Sequence, residues 1–520
     1  MSLIGKFASV GGATMVSRGL GFVREAMIAS AMGAGPVTDA FYAAFRFPNL
    51  FRRVFAEGAF NTAFVPLFAK EMEGGGQEAA REFAEAVLSV LLVTLIGFSA
   101  LAMIFMPFLV RTIVAPGFIS SPEKFELTVL MTRIMFPYLA CMSLMAMMAG
   151  IMNSMRQFFL PAFVTTLLSV FLIAALAFGM VTGMNNRAIG VWQAWAVCFS
   201  GVFQFGVLAV AVRRMGFKLR WRFPRLTSKV KRMLVLMVPA LITGGVTQIN
   251  LLVGQSIASL QESAISFLNF ADRINQLPLG VIGVAVGVVL LPELSRSLKA
   301  GNFDDAQHLQ NRSLEFSLLM TLPATVGMIV LPGPIVSLLY ERGEFTALDT
   351  GPTAAALAAF SYGLPAYVLL KVFQPGFFAR EDMRTPMWFS MISVAVNIAL
   401  SIIMFPFLGH IAIALATSIS AWVNVVLLAA TLWKRNHFRP SPTTMRRCLM
   451  IVVSSVVMGV FAWWLGEMLI APMSNTGLIM KTVGILVTIG LSALVYMVAV
   501  VLTDGVDRQE IKRTLRRRRA

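Results

Sequence analysis

The sequence predicts an all-α integral membrane protein of 14 transmembrane helices, with two pseudo-symmetric six-helix lobes around a central cavity and two extra C-terminal helices. Composition, the recurrence of apolar segments and an internal repeat support this fold class. Of the 520 residues, 58% are hydrophobic and 13% charged, and the mean hydropathy is +0.78. Soluble domains carry roughly 25% charged residues, so the composition indicates a chain surrounded by lipid.

Apolar segments long enough to cross a bilayer follow one another along the whole chain. They lie near residues 10–34, 36–69, 84–111, 125–153, 158–183, 187–213, 232–258, 263–294, 313–340, 352–378, 385–407, 409–433, 447–470 and 478–503. The first is expected to remain as a span and not to be cleaved as a signal peptide, because Arg18, Arg24 and Glu25 interrupt its apolar run.

Basic residues concentrate in every second connection between these segments. They follow the even-numbered spans, most densely between Arg213 and Arg232, and recur in the C-terminal tail, whereas the other connections hold few. The positive-inside rule therefore predicts that both termini are cytoplasmic. These connections also account for the net charge of +18, so nucleic acid is not an expected partner.

An internal repeat relates the two halves of the chain. Its matching pairs share one offset of 226 residues: Phe41 with Phe267, Asn49 with Asn275 and Pro66 with Pro292. The repeat restarts six spans later, and an even number of spans makes the halves parallel repeats about an axis along the membrane normal. The predicted divisions are an N-terminal lobe at 1–220, a C-terminal lobe at 221–440, spans 13 and 14 at 441–503 and a basic tail at 504–520.

The first two predicted spans carry a cluster of charged residues. Its members are Arg18, Arg24, Glu25, Asp39, Arg46, Arg52, Arg53 and Glu57. A charge at the centre of a bilayer costs about 2.5–3.5 kcal/mol, so these side chains are expected to face a protein interior or a wet cavity. Five arginines outnumber three carboxylates, and the planar guanidinium group suits phosphate. Substrate binding is therefore favoured over a purely structural network.

Snorkelling to the membrane surface is the alternative for such residues. Arg18 and Arg24 lie within roughly 6 Å of the middle of the first predicted span, which argues against it. In the second span Pro48 disturbs the helical register, so spacing does not decide whether Arg52 or Arg53 enters the cavity. Glu57, four residues after Arg53, equally suits an internal salt bridge.

The eighth predicted span brings a second, smaller charge pair. Asp272 and Arg273 give the C-terminal lobe its own cationic contact with a substrate in the cavity. Pairing of Asp272 with Arg273 or with Arg46 is the structural alternative.

The sequence offers little for catalysis or for a metal ion. Its cysteines and histidines are scattered: Cys141, Cys198, Cys448, His308, His410 and His437. Their spacing matches no metal-ligand pattern, and no nucleophile and base recur together. We therefore expect no enzyme activity, no metal site and no cofactor.

Four motifs resemble the MurJ (MviN) lipid II flippases of the multidrug/oligosaccharidyl-lipid/polysaccharide (MOP) exporter superfamily. They are Ser17-Arg18-Gly19-Leu20-Gly21-Phe22-Val23-Arg24-Glu25, Asp39-Ala40-Phe41, Arg46-Phe47-Pro48-Asn49-Leu50-Phe51-Arg52-Arg53-Val54-Phe55-Ala56-Glu57-Gly58-Ala59-Phe60 and Ala271-Asp272-Arg273. The resemblance implies a bacterial inner-membrane protein that moves undecaprenyl-pyrophosphate-linked peptidoglycan precursor to the periplasmic leaflet by alternating access. It also implies that spans 13 and 14 border a groove for the lipid tail.

The resemblance further assigns the substrate-binding set, and it favours Arg52 over Arg53. The set is Arg18, Arg24, Asp39, Arg52 and Arg273, with Ser17, Glu25, Arg46, Arg53, Glu57 and Asp272 as secondary candidates. Some members of the family carry a sodium site, but predicted spans 7, 11 and 12 contain no Asp or Glu, which argues against it here. The membrane potential is the expected driving force. Expected partners are lipid II, membrane lipids and the cell-wall synthesis machinery.

Three other functions compete with this interpretation. An exporter of another lipid-linked oligosaccharide would use the same basic cavity. A cation-coupled multidrug exporter of the same fold should show unpaired cavity carboxylates in place of surplus arginine. A membrane-embedded glycosyltransferase should offer a catalytic carboxylate on a large outer loop, and the longest outer connections here span about a dozen residues.

Overall fold

The computed structural model describes residues 3–53, 60–470, 472 and 478–506. Every regular element within these ranges is helical, and they contain no strand. The all-α prediction is therefore confirmed. Helices suit a chain in lipid because each satisfies its backbone hydrogen bonds internally.

Nineteen α-helices account for most of these residues. They are α1 (Leu3–Met32), α2 (Pro36–Phe51), α3 (Phe60–Ile104), α4 (Met106–Leu109), α5 (Pro122–Met135), α6 (Pro137–Ser154), α7 (Phe159–Val164), α8 (Leu167–Val181), α9 (Asn186–Arg214), α10 (Ser228–Ala258), α11 (Ala264–Lys299), α12 (Phe303–Val330), α13 (Pro332–Tyr340), α14 (Ala347–Ser361), α15 (Leu364–Phe378), α16 (Arg384–Leu408), α17 (His410–Lys434), α18 (Pro442–Leu469) and α19 (Leu478–Leu502).

Local sequence explains where several helices begin and bend. Pro36 opens α2 and Pro122 opens α5, at the position where a missing N–H costs nothing. Thr227 caps α10 by accepting a hydrogen bond from the Val230 amide at 3.3 Å. Gly76, with φ +72°, interrupts α3 in a conformation that a residue with a β-carbon would strain to adopt.

Ten helical segments of the described residues are long and apolar enough to cross a membrane. An eleventh is counted if the bent pair Ser228–Pro239 and Gly244–Ala258 forms one span. The first, second and eighth predicted spans fall on α1, α2 and α11, outside that set. Within the predicted second span, α2 ends at Phe51, a π-helical turn covers residues 52–53 and α3 begins at Phe60; residues 54–59 lie outside the described residues. A multi-pass membrane protein is thus confirmed, and the number of 14 spans stays a prediction.

Contacts divide the chain into two compact units. The first comprises Met1–Ser266 with Arg342–Phe345, and the second comprises Phe267–Glu341 with Thr346–Ala520. Helix α10, predicted to open the C-terminal lobe, packs against α3 of the first unit. The lobe boundaries are predicted from the internal sequence repeat. Contacts between helices do not test that repeat, so the boundaries stay predictions.

Each unit has its own apolar core. In the first, Phe60, Phe64 and Phe68 stack along one face of α3, and Phe83 stacks on Phe64 at 5.7 Å between ring centroids. In the second, buried residues of α11, α15 and α17, among them Leu428, form the main cluster. These cores hold the helices that carry the charged residues described next.

Candidate functional site

Helices α1 and α2 are joined by a buried polar triad in the first unit. Arg24 Nη2 lies 2.5 Å from Glu25 Oε1, and the Tyr42 hydroxyl donates a hydrogen bond to Glu25 Oε2. The two charged side chains are only 15% and 8% exposed. Both oxygens of Glu25 are therefore engaged, and Arg24 is held in a fixed position eight residues before the end of α1.

Asp39 lies at the centre of a second buried network. Lys124 Nζ of α5 lies 2.6 Å from Asp39 Oδ2. Ser266 of α11 donates to Asp39 Oδ1 from its amide at 2.8 Å and from its hydroxyl at 2.6 Å. Asp39 is completely buried, so in this conformation a substrate could reach the carboxylate only after the network opens.

The same network joins the N-terminal ends of α2, α5 and α11. Asp39, Lys124 and Ser266 each lie in the first turn of their helix. Helix N-termini carry partial positive charge, which favours a carboxylate among them. Lys124 also lies over the ring of Phe118, 4.2 Å from its centroid, which helps to hold the ammonium group in place.

Sequence reasoning missed Lys124 and Ser266. Neither residue belongs to the candidate set that the sequence offers. Their partner Asp39 lies 85 and 227 residues away in sequence. Helical spacing does not detect such contacts. The sequence marks Lys124 only as one of the few basic residues in the connections that follow odd-numbered spans.

The other arginines of the second predicted span follow Asp39 along the chain. Arg46 and Arg52 come seven and thirteen residues later, about 10 and 20 Å further along the helix axis. Arg46 and Arg52 are partly buried, whereas Arg53 is exposed. Arg52 Nε donates to Asn49 Oδ1 at 2.7 Å, where the helix widens into a π-helical turn. The preference for Arg52 over Arg53 stays a prediction, and Glu57 lies outside the described residues.

Arg18 is placed differently from Arg24. It is exposed on α1, and no ion pair or hydrogen bond to its side chain occurs within the described part of the chain. Ser17 beside it is partly buried. Among the described residues no carboxylate holds Arg18, and its exposed guanidinium group is accessible to an anion.

Asp272 and Arg273 lie in the second unit, two turns into α11. Asp272 Oδ2 accepts a hydrogen bond from Gln276 Nε2 at 2.5 Å. Arg273 Nε is buried, and none of the described residues accepts a hydrogen bond from it. A buried charged donor without an acceptor is costly, so this nitrogen suits an anionic ligand.

No metal centre was predicted, and the described residues contain no cluster of three or more His, Cys, Asp or Glu side chains that could hold a metal ion. The candidate site is therefore a set of basic side chains and their few acidic partners. Its chemistry is electrostatic attraction and bidentate hydrogen bonding, which select anions such as phosphate.

The helices long and apolar enough to cross a membrane define a multi-pass membrane protein, and the folds of solved transporters match it. An inward-facing MATE multidrug transporter of the MOP superfamily shares the fold, with a TM-score of 0.66, 16% identity and coverage of 81% of this chain and 94% of that one. A structure described as lipid II flippase MurJ in an inward closed conformation matches with a TM-score of 0.79 and 27% identity, covering 94% and 97% of the two chains.

Sequence comparison narrows the assignment. The family model for lipid II flippase MurJ matches residues 28–488. A probable lipid II flippase MurJ of Rhizobium tropici is 50% identical and covers 100% of this chain and 98% of its own length. The lipid II flippase MurJ of Burkholderia cenocepacia is 34% identical, with coverage of 89% and 90%. The chain therefore belongs to the lipid II flippase MurJ family, and the resemblance drawn from its motifs is confirmed.

Proposed function

We propose that this protein is a lipid II flippase of the bacterial inner membrane. It moves undecaprenyl-pyrophosphate-linked disaccharide-pentapeptide from the cytoplasmic to the periplasmic leaflet by alternating access. Family membership over nearly the whole chain supports this function. The proposed architecture has 14 spans in two six-helix lobes plus spans 13 and 14 beside the lipid tail, with both termini in the cytoplasm.

The observation that carries the proposal is the charge balance of the α1–α2 cluster. The sequence alone sets five arginines against three carboxylates. Lys124, which is bound to Asp39, brings a sixth cation to the same three carboxylates. The cluster is therefore more positive than its composition suggests. A diphosphate supplies the missing negative charge and several acceptor oxygens.

The proposed roles follow from the placement of each side chain. Arg18, which is exposed, makes the first contact with the diphosphate, and Arg24 and Arg52 complete its binding. Arg273, whose buried Nε has no acceptor among the described residues, is the fourth proposed contact of the diphosphate. Glu25 and Tyr42 orient Arg24, whereas Ser17, Arg46, Arg53, Glu57 and Asp272 are secondary candidates around this set. Asp39 acts through its network with Lys124 and Ser266, and it contacts the substrate only when that network opens.

The membrane potential can supply direction without a cofactor. Moving one negative charge outward across an inside-negative membrane is favoured by about 2.3 kcal/mol per 100 mV. A diphosphate headgroup carries more than one such charge, so an ordinary bacterial potential biases the transfer outward. Sodium coupling is not part of this proposal. The cell-wall synthesis machinery, which consumes the product, is a proposed partner.

The test is transport of fluorescent lipid II in vesicles that contain only this protein. Headgroups that reach the outer leaflet are detected with an impermeant quencher, with and without an imposed voltage. We expect protein-dependent transfer that accelerates when the donor side is negative. No transfer above protein-free vesicles would contradict the proposal.

Two further substrates in the same vesicles separate the competing functions. Transfer of other lipid-linked oligosaccharides at the rate of lipid II would indicate a broader exporter. Transport of a cationic dye would indicate a drug exporter. The structure disfavours the drug exporter, because Glu25 and Asp39 have both oxygens engaged and neither is available to bind a cation.

A further inference from the structure

The connection between α9 and α10 is the most basic segment of the described chain. We define the basic linker as residues 213–232. It contains Arg213, Arg214, Lys218, Arg220, Arg222, Arg225, Lys229, Lys231 and Arg232, and no acidic residue. Arg222 pairs with Glu85 at 2.7 Å and Lys229 pairs with Glu71 at 2.7 Å, and the ion pairs of the described residues involve none of the other seven. The linker therefore carries a large uncompensated positive charge.

Helix α3 anchors the middle of the linker. Glu85 is completely buried and accepts a hydrogen bond from the Arg220 amide at 3.1 Å, in addition to its ion pair with Arg222. The Arg222 amide donates to Ser89 Oγ at 3.1 Å. These bonds fix the backbone at Arg220 and Arg222 against α3.

This attachment leaves large apolar side chains exposed. Trp221, Phe223 and Leu226 are 60%, 78% and 58% exposed. The positive-inside rule accounts for basic residues on a cytoplasmic connection, but it does not account for exposed aromatic residues among them. Tryptophan is enriched where one end of a side chain meets lipid and the other meets water.

The position of the linker along α3 matches the headgroup layer of the membrane. Val93, which is 46% exposed, lies four residues after Ser89 on a helix apolar enough to cross the bilayer. The four residues from Ser89 to Val93 rise about 6 Å, which is close to the thickness of one headgroup layer. This spacing supports placing the linker at the depth of the lipid phosphates.

We propose that the basic linker is a binding site for the headgroups of anionic phospholipids in the cytoplasmic leaflet. Lys218, Arg220 and Arg225 contact lipid phosphates, and Trp221 and Phe223 insert among the headgroups. Charge complementarity selects anionic over zwitterionic lipid, and each cation near the surface favours anionic lipid by roughly fivefold at low salt. This site is separate from the α1–α2 cluster and does not depend on the substrate.

The test uses the full-length protein in phosphatidylcholine nanodiscs that contain a small fraction of a spin-labelled lipid. The label is carried either by phosphatidylglycerol or by phosphatidylcholine, close to the headgroup in both cases. The quenching of Trp221 is obtained as the difference between the wild-type protein and W221F. We expect labelled phosphatidylglycerol to quench at least about fivefold more efficiently than labelled phosphatidylcholine, and the difference to shrink in roughly 0.5 M salt.

A matched pair of variants locates the effect. In the triple variant Lys218→Gln, Arg220→Gln and Arg225→Gln, labelled phosphatidylglycerol and labelled phosphatidylcholine should quench Trp221 about equally. Lys299→Gln, Arg384→Gln and Arg446→Gln remove three exposed charges elsewhere and should leave the preference for labelled phosphatidylglycerol unchanged.

Several results would overturn the proposal. Equal quenching by both labels in the wild-type protein would exclude selection of anionic lipid. If both triple variants lost the preference for labelled phosphatidylglycerol equally, the preference would depend on the net charge of the protein and not on the linker. Trp221 that neither label quenches would show that the linker faces the cytosol or a protein partner.

Discussion

The Asp39 network gives the sharpest prediction about the structure. Lys124→Met removes the ammonium group and keeps a side chain of similar length. Asp39 is completely buried and would keep only its two hydrogen bonds from Ser266. Removing one partner of a buried ion pair costs about 3–5 kcal/mol, because the remaining charge is left uncompensated. We expect a loss of this size in the free energy of unfolding.

The double variant Asp39→Asn/Lys124→Met separates charge from packing. Without the carboxylate the cost of an unpaired charge disappears, so the double variant should be more stable than Lys124→Met alone. Lys481→Met is the matched control. Its pair with Glu341 at 3.1 Å is 21% and 25% exposed, and a pair open to water contributes about 0–1 kcal/mol.

Unfolding in mixed detergent and SDS micelles, followed by circular dichroism, measures these differences. If Lys124→Met is as stable as Lys481→Met, or if the double variant is no more stable than Lys124→Met, the reasoning about the buried pair is wrong. Transport by the double variant then defines the role of Asp39. Retained transport would show that Asp39 acts by holding the helices, and lost transport would show a further role with the substrate.

Two further predictions concern single side chains. Tyr42→Phe removes the hydroxyl that donates to Glu25. We expect the free energy of unfolding in SDS to fall by about 1.5–3 kcal/mol. Lipid II transfer should also become slower, because Arg24 loses its fixed position. Asp382 lies in a connection outside the spans, where hydrogen bonds from Thr385, together with Arg435, lower its pKa from 3.8 to about 2. Its contribution to stability is therefore complete above about pH 4 and is lost as the pH falls towards 2, and Asp382→Asn should flatten this part of the pH profile of unfolding. Identical profiles for wild type and variant would contradict that assignment.

The sequence was most informative where one physical requirement acts locally. Lipid demands apolar helices, so composition and segment length predicted a helical membrane protein. The same requirement made Arg18 and Arg24 conspicuous within an apolar span. The π-helical turn at Arg52, four residues after Pro48, also agrees with the expected disturbance of register there.

Contacts between distant segments were not predictable in this way. The sequence groups Asp39 with the charged residues of the first two spans, but its partners come from α5 and α11. Glu85 lies at the edge of a predicted span, and its burial beneath the linker depends on a segment 135 residues later. Periodicity reports which residues share a face, but it does not report what packs against that face.

The central claim is that surplus arginine in the α1–α2 cluster binds a diphosphate. The direct measurement compares vesicle transfer of a fluorescent sugar on undecaprenyl diphosphate with transfer of the same sugar on undecaprenyl monophosphate. We expect the wild-type protein to prefer the diphosphate, and Arg18→Ala to lose roughly tenfold on the diphosphate lipid, as expected for a lost charged hydrogen bond. Arg111→Ala, which removes an exposed arginine outside the cluster, should match the wild-type protein. Equal transfer of the two lipids, or equal loss in Arg18→Ala and Arg111→Ala, would contradict the claim.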